Sequence, residues 1–314
     1  MSTHDETAMN LAPPGGGIAG ERSRPAFEVV AVFGPTASGK TALADLLADA
    51  LATEVVSADA MQVYRGLPIL TNQSGRPARL VAIRELHEEM SVGAFASLAH
   101  AEIDGLVERH GAAVVAGGTG LYLRAALADL DLPPPASPAV RERIREEVAQ
   151  NPAAAHGRLG ELDPDAAAAV HAHDRQRLVR ALELAESGDT LAGRDRLWSA
   201  VTRRPTLVVG LDVPADVLER RIRERTEQMF VRGVVDEVQR ALEVPVSHTA
   251  EKALGLREIA TLEGTEAREQ IVVRTRRYAA YQRKWMGRIP GIVVLDGTQP
   301  APVLAAEVLA RVRG

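Results

Sequence analysis

Short unbroken apolar runs alternate along the chain with longer stretches whose apolar residues recur every three or four positions. The runs are FEVVAVFG (27–34), EVVSAD (54–59), GAAVVAGGTG (111–120), TLVVGLDVP (206–214) and GIVVLDG (291–297). Apolarity that is continuous rather than alternating marks strands covered on both faces. Residues 41–51 place Leu43, Leu46, Leu47, Ala50 and Leu51 on one helical face. Residues 91–110 are predicted helical, and a further helix is predicted from Leu121. Strands alternating with helices imply a parallel sheet with helices on both faces.

Two interruptions shape the rest. DLPPPASP (131–138) breaks the chain, and residues 139–200 then carry Ala-, Arg- and Glu-rich helical stretches with no strand. Another long helical block covers 215–288. The expected organisation is a leader over 1–26, rich in Pro, Gly and polar residues and disordered, then an α/β core over 27–132 and 201–314. The core ends in a C-terminal helical block, and a helical insertion occupies 133–200.

Composition narrows the class. With 314 residues, 46% hydrophobic and 25% charged, the chain can bury a sizeable core. Aromatics make up only 3%, so that core must be built from Ala, Leu and Val. There is no cysteine, which excludes disulfides, thiolate metal sites and a thiol nucleophile. No apolar stretch reaches the roughly 20 residues that span a bilayer. The expectation is a cytoplasmic protein, a monomer with no membrane partner. The net charge of -5 argues against indiscriminate nucleic-acid binding but not against a local basic surface.

The sharpest motif follows the first strand. Gly34, Pro35, Thr36, Ala37, Ser38, Gly39, Lys40 and Thr41 fit G-x-x-x-x-G-K-[ST] between a strand and a helix. Backbone N–H groups of such a loop wrap phosphate oxygens, and the helix N-terminus adds positive potential. Lys40 neutralises charge, and the Thr41 hydroxyl suits Mg²⁺. The predicted fold is therefore a P-loop NTPase-like parallel sheet flanked by helices. Hydrolases of this kind place an acid after a later strand, whereas the third strand here ends in Gly117, Gly118, Thr119 and Gly120. The second strand does end in an acid, Asp59. Phosphoryl transfer to a small molecule remains open at this point. So does any reaction that holds a polyphosphate while Asp59 deprotonates an acceptor.

Six segments together carry a resemblance. GPTASGKT, SADAMQVYRG, GGTGLYLRAAL, RQRLVRALE, LERRIRERTEQMFVRGVVDEV and RYAAYQRKWMGRIPGIVVLD resemble, in order, the tRNA dimethylallyltransferases (tRNA isopentenyltransferases). The resemblance covers about residues 28 to 300. It implies transfer of a dimethylallyl group from dimethylallyl diphosphate to N6 of adenosine 37, beside the anticodon of tRNAs that read codons beginning with U. The loop would then hold a diphosphate leaving group, with Mg²⁺ as cofactor and the tRNA anticodon stem-loop as partner. Three departures stand out. ILTNQSGRP (69–77) lacks the Lys of the family's G-T-A-K-P, VAIRELHEEM (81–90) replaces a His-His-Leu-Ile/Val-Asp-type segment, and Ala60 stands where the family has Ser.

The resemblance implies roles residue by residue. Asp59 is the general base, and Arg225 joins Lys40 and Thr41 at the diphosphate. Thr119 and Arg141 lie against the substrate. Asp59, Ala60, Met61 and Gln62 contact tRNA, as do Gln176, Arg177, Leu178, Val179 and Arg180 on the insertion. Plainer readings compete with these. Thr119 suits an N-cap, and Arg225 suits a solvated helix arginine. Tyr278, Tyr281 and Trp285, spaced three and four apart, suit a buried stripe, while the arginines of 274–288 suit RNA. HAHD (171–174) reads as a solvated helix end rather than a metal site. A small-molecule P-loop kinase, a prenyl transferase acting on free adenine nucleotides and an RNA-binding protein with a degenerate loop remain as alternatives.

Overall fold

The computed structural model describes residues 26–130, 133, 135–190 and 199–313. The leader read at 1–26 lies, apart from Ala26, outside the described residues, as do parts of the Pro-rich break and of the insertion's end.

Five strands form the sheet: β1 (Val29–Phe33), β2 (Val55–Ser57), β3 (Ala113–Gly117), β4 (Thr206–Asp212) and β5 (Val293–Asp296). All pairs are parallel, in the order β2-β3-β1-β4-β5. Every predicted run contains its strand, trimmed at the ends where the chain turns into loops. The pleat sends alternate residues of β1 to opposite faces. Val30 and Val32 pack with Leu43 and Leu47 of α1 (Lys40–Ala50) and with Leu304 and Val308 of α12 (Ala301–Arg313). Val29, Ala31 and Phe33 pack with Phe95, Ala99 and Leu106 of α2 (Val92–His110) and Leu123 of α3 (Gly120–Leu127). The Ser91 side chain accepts from the Ala94 N–H at 3.1 Å and starts α2, and Gly111 ends it.

The insertion consists of α4 (Pro138–Gln150), α5 (Pro152–Leu162), α6 (Pro164–Ala169) and α7 (Arg175–Glu186). Ser137, Asn151, Asp163 and Asp174 each accept the backbone N–H three residues on. In the first three a proline follows the cap, the residue best suited to a helix's first position. These helices bury a cluster of their own, with Ile144, Val148, Leu159, Leu178 and Leu182 at its centre. Ion pairs tie them together and to the segment before α2. Glu183 takes Arg141 at 2.7 Å and Arg180 at 2.8 Å, and Glu89 takes Arg145 at 3.1 Å.

After β4 come α8 (Ala215–Val231), α9 (Val234–Ala241), a 3₁₀ turn at Ala250–Lys252, α10 (Leu256–Thr261) and α11 (Gly264–Met286). The long helix α11 lies against the turn that follows β3. It comes so close that a Cβ on Gly120 would sit 2.2 Å from the Trp285 ring, and one on Gly118 2.2 Å from Gln282 Nε2. Gly120→Ala should therefore lower unfolding stability by about 1–3 kcal/mol, the usual cost of overpacking. Gly157 inside α5 has nothing within 4 Å of an added Cβ, so Gly157→Ala should raise stability by about 0.5–1 kcal/mol. Urea unfolding of the two variants checks both signs.

Candidate active site

Three strand ends meet at one edge of the sheet. From β1 the chain enters the phosphate loop, where Ala37 (φ 63°) and Gly39 (φ 94°) adopt left-handed conformations. Lys40 opens α1, and its Nζ donates to Pro35 O at 3.3 Å. Ser38 Oγ is buried with no hydrogen-bond partner among the described residues. Arg225 on α8 reaches over the loop and donates to Thr36 Oγ1 at 2.8 Å. Arg225 is therefore no solvated helix arginine.

Asp59 follows β2. Its Oδ1 accepts the Met61 N–H at 2.9 Å, which fixes the carboxylate at the start of the next turn. Gln62 accepts from Ser57 Oγ at 2.8 Å and donates to Asn72 O at 3.0 Å, tying this turn to the 69–77 segment. Thr119 precedes α3 but makes no side-chain cap bond. Its hydroxyl lies 3.2 Å from that of Tyr278 on α11. Between two readings of Thr119, the side chain faces the cleft.

Thr36, Lys40, Thr41, Asp59, Ala60, Met61, Gln62, Thr119 and Arg225 line one cleft of about 260 Å³. Its charges are unbalanced. Burial pulls the Lys40 ammonium down to about 8, an effect that Asp59 opposes and Arg225 reinforces. Burial also lowers the Arg225 guanidinium, against Asp59. Tyr278 is pushed up to about 12 by burial and by Asp59, so its hydroxyl keeps its proton. Lys252 and Asp45 line the cleft as well, so among the described residues three cations lowered by burial meet two carboxylates, an arrangement that favours a bound anion.

The structure separates the remaining expected residues. Gln176 and Arg177 stand exposed at the start of α7. Leu178 is fully buried in the insertion's core, so its side chain is not available to RNA, and Val179 packs against that core while partly buried. The helical period turns them inward. Arg141 does not line the cleft; Glu183 and Glu89 hold it where the insertion meets the core. Arg180 spans Glu183 and Pro133 O, at 2.8 Å each. The aromatic stripe is corrected too. Tyr278 lines the cleft and Tyr281 is exposed. His171 and His173 stack edge to face. Among the described residues no cluster of three or more His, Cys, Asp or Glu can hold a metal.

Three functional candidates escaped the sequence reading. Gln282 is buried; its Oε1 accepts the Thr36 N–H and its Nε2 donates to Gly118 O, both at 2.8 Å. The only signal for it is its position one turn after Tyr278. Lys252 lines the cleft mouth from the 3₁₀ turn. Glu237 on α9 accepts the N–H groups of Ile69 and Leu70 at 2.8 and 2.7 Å, and so holds the segment that lacks the family's Lys. Nothing in the sequence pairs positions so far apart.

Known proteins resemble this chain over most of its length. The family described as IPP transferase matches residues 62–289, and the one described as isopentenyl transferase matches 27–85. The tRNA dimethylallyltransferase of Streptomyces avermitilis is 39% identical over 293 residues, 87% of this chain and 91% of that protein. That of Anaeromyxobacter sp. is 39% identical over 301 residues, 90% of this chain and 97% of that one. The solved full-length tRNA isopentenylpyrophosphate transferase of Bacillus halodurans superposes with a TM-score of 0.65 at 30% identity, covering 91% of this chain and 96% of its own. A eukaryotic dimethylallyltransferase acting on tRNA gives 0.68 at 25% identity, over 86% and 73%. With a matching family description across most of its length and relatives this similar end to end, the chain belongs to the tRNA dimethylallyltransferase family.

Proposed function

We propose that the protein transfers a dimethylallyl group from dimethylallyl diphosphate to N6 of adenosine 37 in tRNAs reading codons that begin with U, releasing diphosphate. It acts in the cytoplasm as a monomer. Among its described residues, no helix is long and apolar enough to cross a membrane. One observation carries the reading: Thr36, Lys40 and Thr41 of the phosphate loop line a single cleft with Arg225, Asp59 and Thr119. In a member of this family, that cleft brings a diphosphate and a base-bearing acceptor together.

The chemistry is alkyl transfer. The allylic C1–O bond breaks, the N6 amine forms the new C–N bond, and one N6 proton leaves. Lys40, Arg225 and the loop amides stabilise the negative charge that grows on the departing diphosphate. The Asp59 carboxylate takes the amine proton. Tyr278, which keeps its proton, lies 3.2 Å from Thr119. When it donates there, the Thr119 hydroxyl is left to donate into the cleft. The Thr41 hydroxyl is an oxygen donor that would hold Mg²⁺. When bound, Mg²⁺ neutralises diphosphate charge. The insertion presents Gln176 and Arg177 to the tRNA, and the free-nucleotide and kinase readings leave this exposed face without a role.

The direct test supplies Mg²⁺ with labelled dimethylallyl diphosphate or labelled ATP, and either tRNA or AMP. Label should pass from the prenyl donor to tRNA alone. Label moving from ATP, or onto AMP only, would replace the reading with one of its alternatives. Asp59→Asn keeps the oxygen that the Met61 N–H needs but removes the base. It should lower the single-turnover rate by about 10²–10⁴-fold, while filter binding shows tRNA affinity little changed.

Lys40 sets a pH dependence. Its folded value of about 8 lies below the ordinary 10.5. The protonated form holds diphosphate, so above pH 8 binding must be coupled to proton uptake. Affinity for pyrophosphate should fall by up to about tenfold per pH unit as pH rises past 8. Lys40→Arg, which stays charged, should lack that limb when both proteins are titrated by calorimetry. Using the same ligand for both cancels the ligand's own ionisation.

A further inference from the structure

Helix α8 carries two arginines one turn apart, and both reach the phosphate loop. Arg225 lines the cleft and donates to Thr36 Oγ1 at 2.8 Å. Arg221 does not line the cleft. Its Nη1 lies instead 3.4 Å from Ala37 O, 3.5 Å from Ser38 O and 3.2 Å from Gly297 O. Among the described residues no carboxylate comes within ion-pair range of Arg221. Its guanidinium is committed to backbone oxygens rather than to an acid.

Gly297 is a fixed anchor for this contact. Its N–H donates to Asp212 O at 2.7 Å, and a Cβ there would fall 2.6 Å from Val213 Cγ2. Arg221 thus ties the loop after β1 to a turn clamped on the end of β4. The carbonyls it holds belong to the strained part of the loop. Ala37 has φ 63°, a left-handed conformation that a side chain disfavours and glycine does not. Such a conformation persists where its surroundings fix it. Two contacts do so here. Ala37 packs against the cluster of Ile222, Val272 and Ala279 from α8 and α11, and Arg221 takes its carbonyl. A trans peptide points its N–H opposite to its C=O. With the Ala37 and Ser38 carbonyls turned to Arg221, the Ser38 and Gly39 N–H groups are turned away from it. Ser38 N–H donates to Pro35 O at 3.2 Å, whereas Gly39 N–H has no acceptor among the described residues.

We propose that Arg221 is a positioning residue for the diphosphate, acting through the loop without touching the ligand. It holds two loop carbonyls from behind, keeps Ala37 left-handed and leaves the Gly39 N–H for a phosphate oxygen. The proposal rests on the functional reading above and adds the residue that sets the shape of the loop. On one helix, Arg225 meets the anion and Arg221 shapes the cradle.

The test is a double-mutant cycle on pyrophosphate binding, measured by calorimetry with Mg²⁺ present. Arg221→Met should weaken binding about tenfold, equivalent to about 1.4 kcal/mol. In an Ala37→Gly background the same substitution should cost less than about threefold, because glycine adopts the left-handed conformation unaided. Filter binding of tRNA should not change with Arg221→Met. An equal loss in both backgrounds would overturn the proposal, because the Arg221 charge would then be acting independently of the Ala37 backbone. Wild-type pyrophosphate affinity in Arg221→Met would overturn it too, as would a parallel fall in tRNA affinity, the mark of a general structural role. Arg221→Lys keeps the charge without the planar fork and serves where the Met variant does not fold. It should lose affinity alone and regain it when combined with Ala37→Gly; undiminished affinity would reduce the role to charge and overturn the proposal. Absence of pyrophosphate binding by the wild type would refute the functional reading itself, a result separable from any difference between variants.

Discussion

One buried amide holds the reactive edge of the sheet together. Gln282 accepts from Thr36 in the phosphate loop and donates to Gly118 after β3, at 2.8 Å each. In the proposed reaction the loop grips a diphosphate while the turn beside it offers Thr119 to the same cleft. Two loops that leave different strands have no intrinsic reason to keep a fixed separation. A side chain bonded to both backbones gives them one. A buried hydrogen bond contributes only about 1 kcal/mol net, but leaving its partners unsatisfied costs about 1–3 kcal/mol each. The arrangement therefore resists local opening where positional error would cost most in rate.

The same edge concentrates charge that the protein alone does not balance. Lys40 and Arg225 are both lowered by burial, and Asp59 pulls against that burial in each case. Ser38 Oγ lies buried without a partner among the described residues. In isolation these are costs to stability. A dianionic ligand at the loop restores the Coulombic partner and gives the amides something to bind. On the proposed reading, binding energy for the diphosphate is thus stored in the folded chain before the substrate arrives, which is how a preorganised site favours a departing anion.

Most of the fold could be read from one sequence, because its signals are local. Five apolar runs contained the five strands, and the Ala-, Arg- and Glu-rich composition after the Pro-rich break marked the insertion as helical. The loop residues and Asp59 could be read because each follows a strand end. What escaped depends on which face of a helix meets which neighbour. Leu178 and Arg180 sit in one short motif, yet one is core and the other ion-paired to Glu183. Tyr278 and Tyr281 look alike in the chain but face the cleft and the solvent. Gln282 and Glu237 reach partners 246 and 168 residues away. Hydropathy spacing carries no information about such pairings.

The long reach of α11 also accounts for the feature that set this loop apart from a hydrolase at the outset, the missing acid after β3. The place is physically occupied. Gly118 sits against the Gln282 amide, and an added Cβ there would fall 2.2 Å from Nε2 and 3.0 Å from Gly34 O. Any acidic side chain at Gly118 would displace Gln282 and release the loop it holds. The sheet edge can carry a metal-binding acid at this position or a helix that joins the two turns, but not both. With the helix in place, the proposed charge stabilisation falls to Lys40, Arg225 and the loop amides, and of the two carboxylates that line the cleft, Asp45 on α1 and Asp59, it is Asp59 that follows the end of β2. On the proposed reading Asp59 serves the acceptor rather than a nucleophilic water, and a phosphate loop built this way then favours departure of an intact diphosphate over attack of water on phosphorus.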